Sequence, residues 1–223
     1  MLAAIARLTR RGASSMVLEY NDESFGIVQG CERMSPGCAH CYAERKAQNW
    51  GINVGGLPVW GPAAASPRKV HGEKHWNGPL GWNAIKIPIP GKTRPNVFCS
   101  PMADVFEDHP TVDHERAKLW DLIDKTPNLD WHLITKREDN VEKNLPWGKT
   151  DVPWPNVWIS MSIENDYWAK RRLPYLVSLN VAVRGAHLEP LLGPVPSLAH
   201  YIKDLDWVLV GGEPPGPPLE VVP

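Results

Sequence analysis

The chain has 223 residues, of which 43% are hydrophobic and 22% charged, and its formal net charge is −1. This composition is typical of a soluble globular protein with one domain as the default, and four cysteines in this length exclude a disulfide scaffold. A net charge near zero supplies no global field for nucleic acid, so such binding would need a local basic patch. No apolar run reaches the roughly 18 to 20 residues that span a bilayer, and we therefore expect a cytoplasmic protein without a membrane partner.

The two ends of the chain are predicted to lie outside the folded domain. Residues 1–19 are interpreted as a loose N-terminal extension, because this segment is basic and its apolar part is too short for a secretion signal. A start at Met16 fits the sequence equally well. Residues 214–223 are rich in proline and read as an extended tail. The domain is predicted to span residues 20–213.

Short apolar runs recur along the chain and alternate with segments of helical character. The predicted strands are, in chain order, Ser24–Val28, Val97–Ser100, Trp131–Thr135, Asn156–Ser160, Ala182–Leu188 and Asp206–Val210. The predicted helices are Ala43–Trp50, Asp113–Lys125, with Asp113 as the N-cap, and Asn165–Leu179. Residues 51–95, rich in Gly, Pro and Trp, are predicted as a long irregular insertion. Alternating strands and helices favour an α/β fold with about six parallel strands.

Three cysteines lie within eleven residues after the first predicted strand. Cys31, Cys38 and Cys41 have the spacing C-x6-C-x2-C, and Pro36 and Gly37 can turn the backbone so that the three sulfurs converge. Three thiolates leave one coordination position of a metal centre open. The favoured interpretation is a four-iron four-sulfur cluster whose fourth iron takes a small molecule.

Two other interpretations of the cysteines stay open. The first is a zinc site closed by a histidine, for which the candidates are His40, His71 and His75. The second is a set of ordinary buried thiols. The fourth cysteine, Cys99, lies in an apolar run and is expected to be a packed strand thiol rather than a ligand.

Polar residues cluster just after the predicted strands. They are Ser100, Asp104, Lys136, Arg137, Ser162, Glu164, Glu189 and Glu213. In a barrel-like α/β fold the carboxyl ends of the strands build the active site, so we expect these side chains to meet in one cavity with the cysteine loop. Gly211 and Gly212, which precede Glu213, offer backbone amides to a phosphate or an amino-acid group, although two glycines also make an ordinary turn.

Six sequence blocks in a fixed order carry a family resemblance. They are Gly30–Glu44, Met102–Phe106, Leu133–Arg137, Asn156–Asn165 in part, Leu188–Val195 and Asp206–Glu213. With these blocks the chain resembles an uncharacterised family of phage and prophage proteins that is similar to radical S-adenosylmethionine enzymes. The resemblance implies a partial (β/α)6 barrel of the radical-SAM type in a phage-encoded protein of the host cytoplasm.

The resemblance also implies cofactors and residue roles. Cys31, Cys38 and Cys41 would hold a four-iron four-sulfur cluster that binds S-adenosylmethionine, and a flavodoxin or ferredoxin would supply electrons. Candidate catalytic residues are Lys136, Glu164 and Glu189. Candidate cofactor-binding residues are Tyr42, Ser100, Asp104, Arg137, Gly211, Gly212 and Glu213. The substrate is unknown, and nucleic acid or a nucleotide is one candidate.

The chain departs from the radical-SAM pattern in two places. The widespread loop has C-x3-C as its first gap and an aromatic residue before the third cysteine, whereas here the gap is six residues and His40 holds that place. After Gly-Gly-Glu the resembled family usually continues with Ser-Gly-Pro and a further helix and strand, whereas this chain has Pro214-Pro215 and ends. A competing hypothesis is therefore a phage protein in which metal stabilises the fold and which binds a host macromolecule without catalysis. Its tryptophans and Pro-rich tail would then anchor the interface.

Overall fold

A computed structural model describes residues 21–84, 94–149 and 151–212. The predicted N-terminal extension and the Pro-rich tail lie outside the described residues, as does Glu213. The described part is a mixed α/β fold built on one large parallel sheet. None of its helices combines the length and the apolar character needed to cross a membrane.

The central sheet contains six strands, all parallel to their neighbours. They are β1 (Glu23–Ser24), β2 (Asn96–Cys99), β3 (Asp130–Thr135), β4 (Val157–Ser162), β5 (Val183–Leu188) and β6 (Trp207–Val210). Their order in the sheet follows their order in the chain. The predicted α/β class and the six parallel strands are confirmed.

Helices connect the strands and cover part of the sheet. They are α1 (Tyr42–Asn49), α2 (Glu73–Trp76), α3 (Gly78–Ala84), α4 (Pro110–Asp124), α5 (Glu138–Val141) and α6 (Asp166–Ser178). Short 3-10 turns occur at Pro36–Cys38, Glu142–Asn144, Pro196–His200 and Ile202–Asp204. The helix α6 begins after Asn165, within one residue of its predicted start, and the Asn165 side chain accepts a hydrogen bond from the Trp168 N–H.

Two predicted elements differ clearly from the structure. The helix α4 starts at Pro110 and not after Asp113, because the ring Nδ1 of His109 accepts the Thr111 N–H and Pro110 suits the first helical turn. The first predicted strand is divided, since Glu23–Ser24 joins the large sheet while Val28–Gln29 pairs antiparallel with Lys69–Val70.

The insertion after α1 is less irregular than its composition indicates. It holds the helices α2 and α3, one strand of the pair just described, and a two-residue hairpin formed by Asn53–Val54 and Leu57–Pro58. Residues 85–93 of this insertion lie outside the described residues. The elements are too short for the periodicity of hydrophobic residues to reveal them.

One face of the sheet carries the hydrophobic core. Val97, Leu133 and Ile159 occupy alternate positions of β2, β3 and β4, and they pack in one cluster with Leu119 of α4 and Leu173 of α6. Because crossovers between parallel strands are right-handed as a rule, a sheet with sequential order places its helices on one face. Cys99 lies on this apolar face, fully buried, as expected for a packed strand thiol.

The opposite face of the sheet is polar and aromatic. His132 of β3 contacts Ser160 of β4 through a 2.8 Å hydrogen bond, and its ring lies 5.0 Å from that of His187 and 4.5 Å from that of Trp207. All four residues occupy the strand positions that alternate with the apolar ones. The two faces of the sheet therefore differ in character, since one is apolar and the other polar and aromatic.

Gly185 of β5 lies where a side chain has no room on the polar face. An added Cβ would lie 2.1 Å from Ser160 Oγ and 2.4 Å from Trp207 Nε1. We expect Gly185→Ala to lower the free energy of unfolding by about 1–3 kcal/mol, the usual cost of overpacking. The matched control is Gly72→Ala, because nothing lies within 4 Å of its added Cβ. Urea unfolding measures both, and equal midpoints for the two variants would contradict the expectation.

Candidate functional site

A cavity of about 600 Å³ opens at the carboxyl ends of the parallel strands. Its wall combines the cysteine loop with residues that follow successive strands. Its polar and ionisable lining residues, with one glycine, include Cys31, Cys38, His40, Cys41, Tyr42, Ser100, Asp104, Lys136, Ser162, His187, Glu189 and Gly212. A volume of this size lies within the range of pockets that bind cofactors and other small molecules.

The three clustered cysteines are free thiols on one wall of this cavity. Cys38 ends the 3-10 turn of the loop and donates its N–H to the Ser35 carbonyl oxygen at 2.9 Å. Cys41 is the N-cap residue of α1, where the first backbone amides of the helix favour negative charge. The loop thus carries Cys31 at its start, Cys38 at the end of its 3-10 turn and Cys41 at the N-terminus of α1.

Burial controls the protonation of two of these thiols. It raises the pKa of Cys31, while the nearby Arg137 guanidinium acts in the opposite direction. Burial also raises the pKa of Cys41, against the effect of the Glu44 and Ala43 backbone amides. Both thiols are therefore neutral near pH 7 in the metal-free chain, and a metal must displace their protons when it binds.

The three thiols are chemically suited to bind a metal, but the potential ligand side chains do not surround a common point. Among the described residues, no group of three or more His, Cys, Asp or Glu side chains is close enough together to hold a metal ion. The three thiols nevertheless belong to one loop and face one cavity. Each cysteine has a single side-chain torsion before its sulfur, so each Sγ can change its position by a change of rotamer.

The histidines proposed as a fourth ligand lie in different places. His40 lines the cavity, and its Nε2 is buried without a hydrogen-bond partner in the described part of the chain. His71 and His75 stack on one another with ring centroids 4.0 Å apart, outside the cavity wall. His40 is thus the histidine that the structure brings to the cysteines.

A buried ion network holds the start of the cysteine loop. The Glu107 carboxylate is 1% exposed; it accepts hydrogen bonds from Arg68 Nε and Nη2, both at 2.8 Å, and from Arg137 Nη2 at 3.0 Å. It also accepts the Glu32 N–H at 2.9 Å. Arg137 Nη2 donates in addition to the Glu32 carbonyl oxygen at 3.1 Å and approaches Cys31 Sγ at 3.6 Å. Arg137 therefore faces the first cysteine from behind the cavity wall, and its role as a cofactor-binding residue stays a prediction.

Four predicted cofactor-binding residues line the cavity, namely Tyr42, Ser100, Asp104 and Gly212. Asp104 accepts hydrogen bonds from the Thr135 hydroxyl at 2.8 Å and from the Lys136 N–H at 3.1 Å, so its carboxylate fixes the end of β3. Tyr42 donates its hydroxyl to the Pro101 carbonyl oxygen at 2.8 Å. Ser100 has a buried Oγ without a partner among the described residues, and this hydroxyl is available to a ligand.

Lys136 is the cation of the cavity wall best placed to bind an anion. Its Nζ donates to Ser162 Oγ at 3.1 Å, and no carboxylate of the described residues lies within 4.0 Å of it. A lysine that faces a cavity without a carboxylate partner can bind an incoming carboxylate or phosphate group. The predicted catalytic role of Lys136 stays a prediction.

Glu189 lies on the other side of the cavity, after β5. Burial raises its pKa, and the positive charge of Lys136 partly opposes that effect. Its carboxylate packs close to Gly211, whose added Cβ would lie 2.9 Å from Glu189 Cδ. A carboxyl group with a raised pKa in a cavity is suited to proton transfer.

The raised pKa of Glu189 predicts a dependence of stability on pH. Folding raises the pKa of the Glu189 carboxyl group from its ordinary value of 4.5, so this group binds its proton more tightly in the folded chain than in the unfolded chain. The stabilisation that results is complete below pH 4.5 and is lost as the pH rises through the raised pKa. We expect Glu189→Gln to remove this loss, so that the variant gains stability relative to the parent between about pH 4 and pH 7. Urea unfolding at both pH values tests this. A difference between variant and parent that stays the same at both pH values would contradict it.

His187 is a cavity residue that the sequence analysis missed. It is 2% exposed and lies near the end of β5, two positions before Glu189. Burial lowers its pKa well below the usual value, so the ring is neutral. The period-two pattern of β5, read backwards from Glu189, is the signal that predicts its place.

Three predicted site residues of the described ranges do not line the cavity, namely Arg137, Glu164 and Gly211. Glu164 is fully buried behind the wall, where it pairs with Arg172. Glu213 lies outside the described residues, whereas Gly212, directly before it, is in the wall. The structure therefore brings together the three cysteines, Lys136 and Glu189, and it leaves Glu164 as a neighbour of the site.

The fold and the cavity define a class: a parallel α/β protein with a thiol-lined cavity at the carboxyl edge of its sheet. Residues 15–219 match the model of a family described as "Protein of unknown function (DUF5131)". The chain belongs to this family. Neither the curated proteins nor the solved structures contain a significant match. The predicted phage origin and the relation to radical-SAM enzymes stay predictions.

Proposed function

We propose that the protein binds an iron-sulfur cluster at Cys31, Cys38 and Cys41 and uses S-adenosylmethionine in the adjoining cavity. The observation that supports this most is the meeting of three free thiols from one loop with Lys136 and Glu189 in one cavity. Thiolates are the ligands that iron-sulfur clusters take, and three of them leave one iron open to a small molecule. When bound, a reduced cluster of this kind supplies the electron for reductive cleavage of S-adenosylmethionine.

The chain's own residues would bind and orient the small molecule. Lys136 is placed to hold a carboxylate, and the free hydroxyl of Ser100 to accept or donate a hydrogen bond. Glu189, with its raised pKa, would accept or give up a proton at its carboxylate. The positive charge of Arg137 beside Cys31 Sγ would stabilise the thiolate form of that ligand.

We also propose that the six-stranded sheet is a partial (β/α)6 barrel. Sequential strand order and a helix-covered outer face support this, since a barrel requires both. The polar face with His132, Ser160 and His187 would then be the barrel interior. This arrangement gives residues from several strand ends access to one substrate of a class still to be identified.

A second candidate function is a metal-stabilised binding protein with zinc in a Cys3His site. The observation that favours it is the buried Nε2 of His40, which faces the cavity wall of the cysteines without a partner in the described ranges. A closed tetrahedral site of this type is structural, and it leaves no position for a substrate. Such a protein would act by binding a macromolecule.

Anaerobic purification distinguishes the two functions. The enzyme proposal predicts a brown protein with about four irons and four sulfides per chain, which forms 5′-deoxyadenosine from S-adenosylmethionine after reduction with dithionite. His40→Ala should retain the iron. A colourless protein with one zinc per chain, lost in His40→Ala, would contradict the proposal and support the binding protein.

A further inference from the structure

Glu164 contacts the cysteine loop from behind the cavity wall. It follows β4, its side chain is fully buried, and its Oε1 lies 3.5 Å from Nη1 of Arg172, which is also fully buried. A buried carboxylate of this kind persists only where charge and hydrogen bonds compensate its lost hydration. The contacts of Glu164 therefore indicate what the residue does.

Arg172 fixes Glu164 to the sheet. Its guanidinium donates to the Ser162 carbonyl oxygen at 2.7 Å, to the Lys136 carbonyl oxygen at 3.0 Å and to the Glu138 carboxylate at 3.2 Å. These bonds tie α6 to the ends of β3 and β4. Glu164 is thereby held on a rigid support directly beneath the strand ends that carry Lys136.

Glu164 in turn holds the turn that carries Cys38. The Ser35 hydroxyl donates a hydrogen bond to Glu164 Oε1, and Ser35 Oγ lies 3.9 Å from Cys38 Sγ. On the other side of Pro36, a Cβ added to Gly37 would lie only 2.7 Å from Glu164 Cδ. The carboxylate thus packs against both residues that flank Pro36, and a side chain at position 37 is excluded.

We propose that Glu164 is a positioning residue that fixes Cys38 in the loop before any metal binds. This inference rests on the proposed function, because positioning Cys38 serves metal binding only if Cys38 is a ligand. A preformed ligand loop binds its metal more tightly, because less ordering is left to occur on binding. At Cys31 the support is separate: Arg137 Nη2 approaches Cys31 Sγ, and Glu107 accepts the N–H of the next residue, Glu32.

The test measures the reactivity of each cysteine in the metal-free protein. Ser35→Ala removes the hydrogen bond to Glu164 but leaves the Arg172 pair intact, so the variant should fold. We expect iodoacetamide to modify Cys38 about tenfold faster in this variant, as for the loss of a hydrogen bond to a charged group, while Cys31 keeps its rate. Cobalt affinity should fall by about tenfold as well.

Two further variants separate positioning from a general loosening of the fold. Ser35→Thr keeps the hydroxyl, and the extended backbone at this residue, with φ −154°, suits a β-branched side chain. In this variant iodoacetamide should therefore modify Cys38 at the rate of the parent protein. Gly37→Ala should resemble Ser35→Ala. Unchanged reactivity of Cys38 in Ser35→Ala, or equal acceleration at all three cysteines, would overturn the inference. If the parent protein takes up no metal while Cys38 alone responds, the proposed function fails and the positioning role stands.

Discussion

Replacing any one of Cys31, Cys38 and Cys41 by alanine is expected to abolish metal binding. Each thiol is one of three that a single loop presents to the cavity, and two ligands do not retain a cluster. Iron should fall from about four atoms per chain to nearly none, with loss of the broad visible absorbance. Iron and sulfide analysis of each variant after anaerobic reconstitution measures the effect.

Cys99→Ala is the matched control for these variants. This thiol is fully buried on the apolar face of β2, outside the cavity wall, so its removal should leave the iron content unchanged. The small cavity left in the core lowers stability instead. Retained iron in Cys38→Ala would refute the ligand assignment, and lost iron in Cys99→Ala would make Cys99 a ligand.

Glu107→Gln is expected to destabilise the fold more than any other single change considered above. The carboxylate neutralises Arg68 and Arg137, and the guanidinium groups of both are almost fully buried. Breaking such a network leaves buried positive charge without compensation, at a cost of about 3–5 kcal/mol. For a domain with a total stability of about 5–15 kcal/mol, this removes a large part. Guanidinium unfolding followed by circular dichroism measures the loss.

Glu142→Gln is the control for this prediction. Glu142 pairs with Lys149 at 2.8 Å, but both side chains are substantially exposed, at 43% and 74%. An exposed pair contributes at most about 1 kcal/mol, so the control should unfold close to the parent. A similar loss of unfolding free energy in Glu107→Gln and Glu142→Gln would show that burial does not determine how much the Glu107 network stabilises the fold.

The sequence predicts the central sheet well because its strands are buried on one face by helices and read as apolar runs. The strand predicted at Trp131–Thr135 differs from β3 by one residue, and the helix predicted at Asn165–Leu179 differs from α6 by one residue at each end. The first strand was predicted too long, because a local pattern does not reveal that Val28–Gln29 pairs with Lys69–Val70. The helix α5 was missed because four residues carry no clear period.

In the candidate site, too, the positions at strand ends could be predicted from the sequence, whereas contacts between residues far apart in the chain could not. The carboxyl ends of parallel strands meet at one edge, and that rule alone is enough to predict that Lys136 and Glu189 lie near the cysteines. The supports of the loop could not be predicted, because Arg68 and Glu107 are 39 residues apart and Ser35 and Glu164 are 129 apart. Single charged residues at such separations have no sequence pattern that indicates a contact.

The central claim is that the cavity beside the cysteines holds S-adenosylmethionine, and isothermal titration calorimetry on the anaerobically reconstituted protein tests it most directly. We expect one molecule to bind per chain with a Kd below about 1 mM, and about tenfold more weakly in Lys136→Met, which loses a charged hydrogen bond. Lys149→Met, at an exposed lysine outside the cavity wall, should bind like the parent. No binding at millimolar S-adenosylmethionine to protein that carries its full iron content would contradict the account.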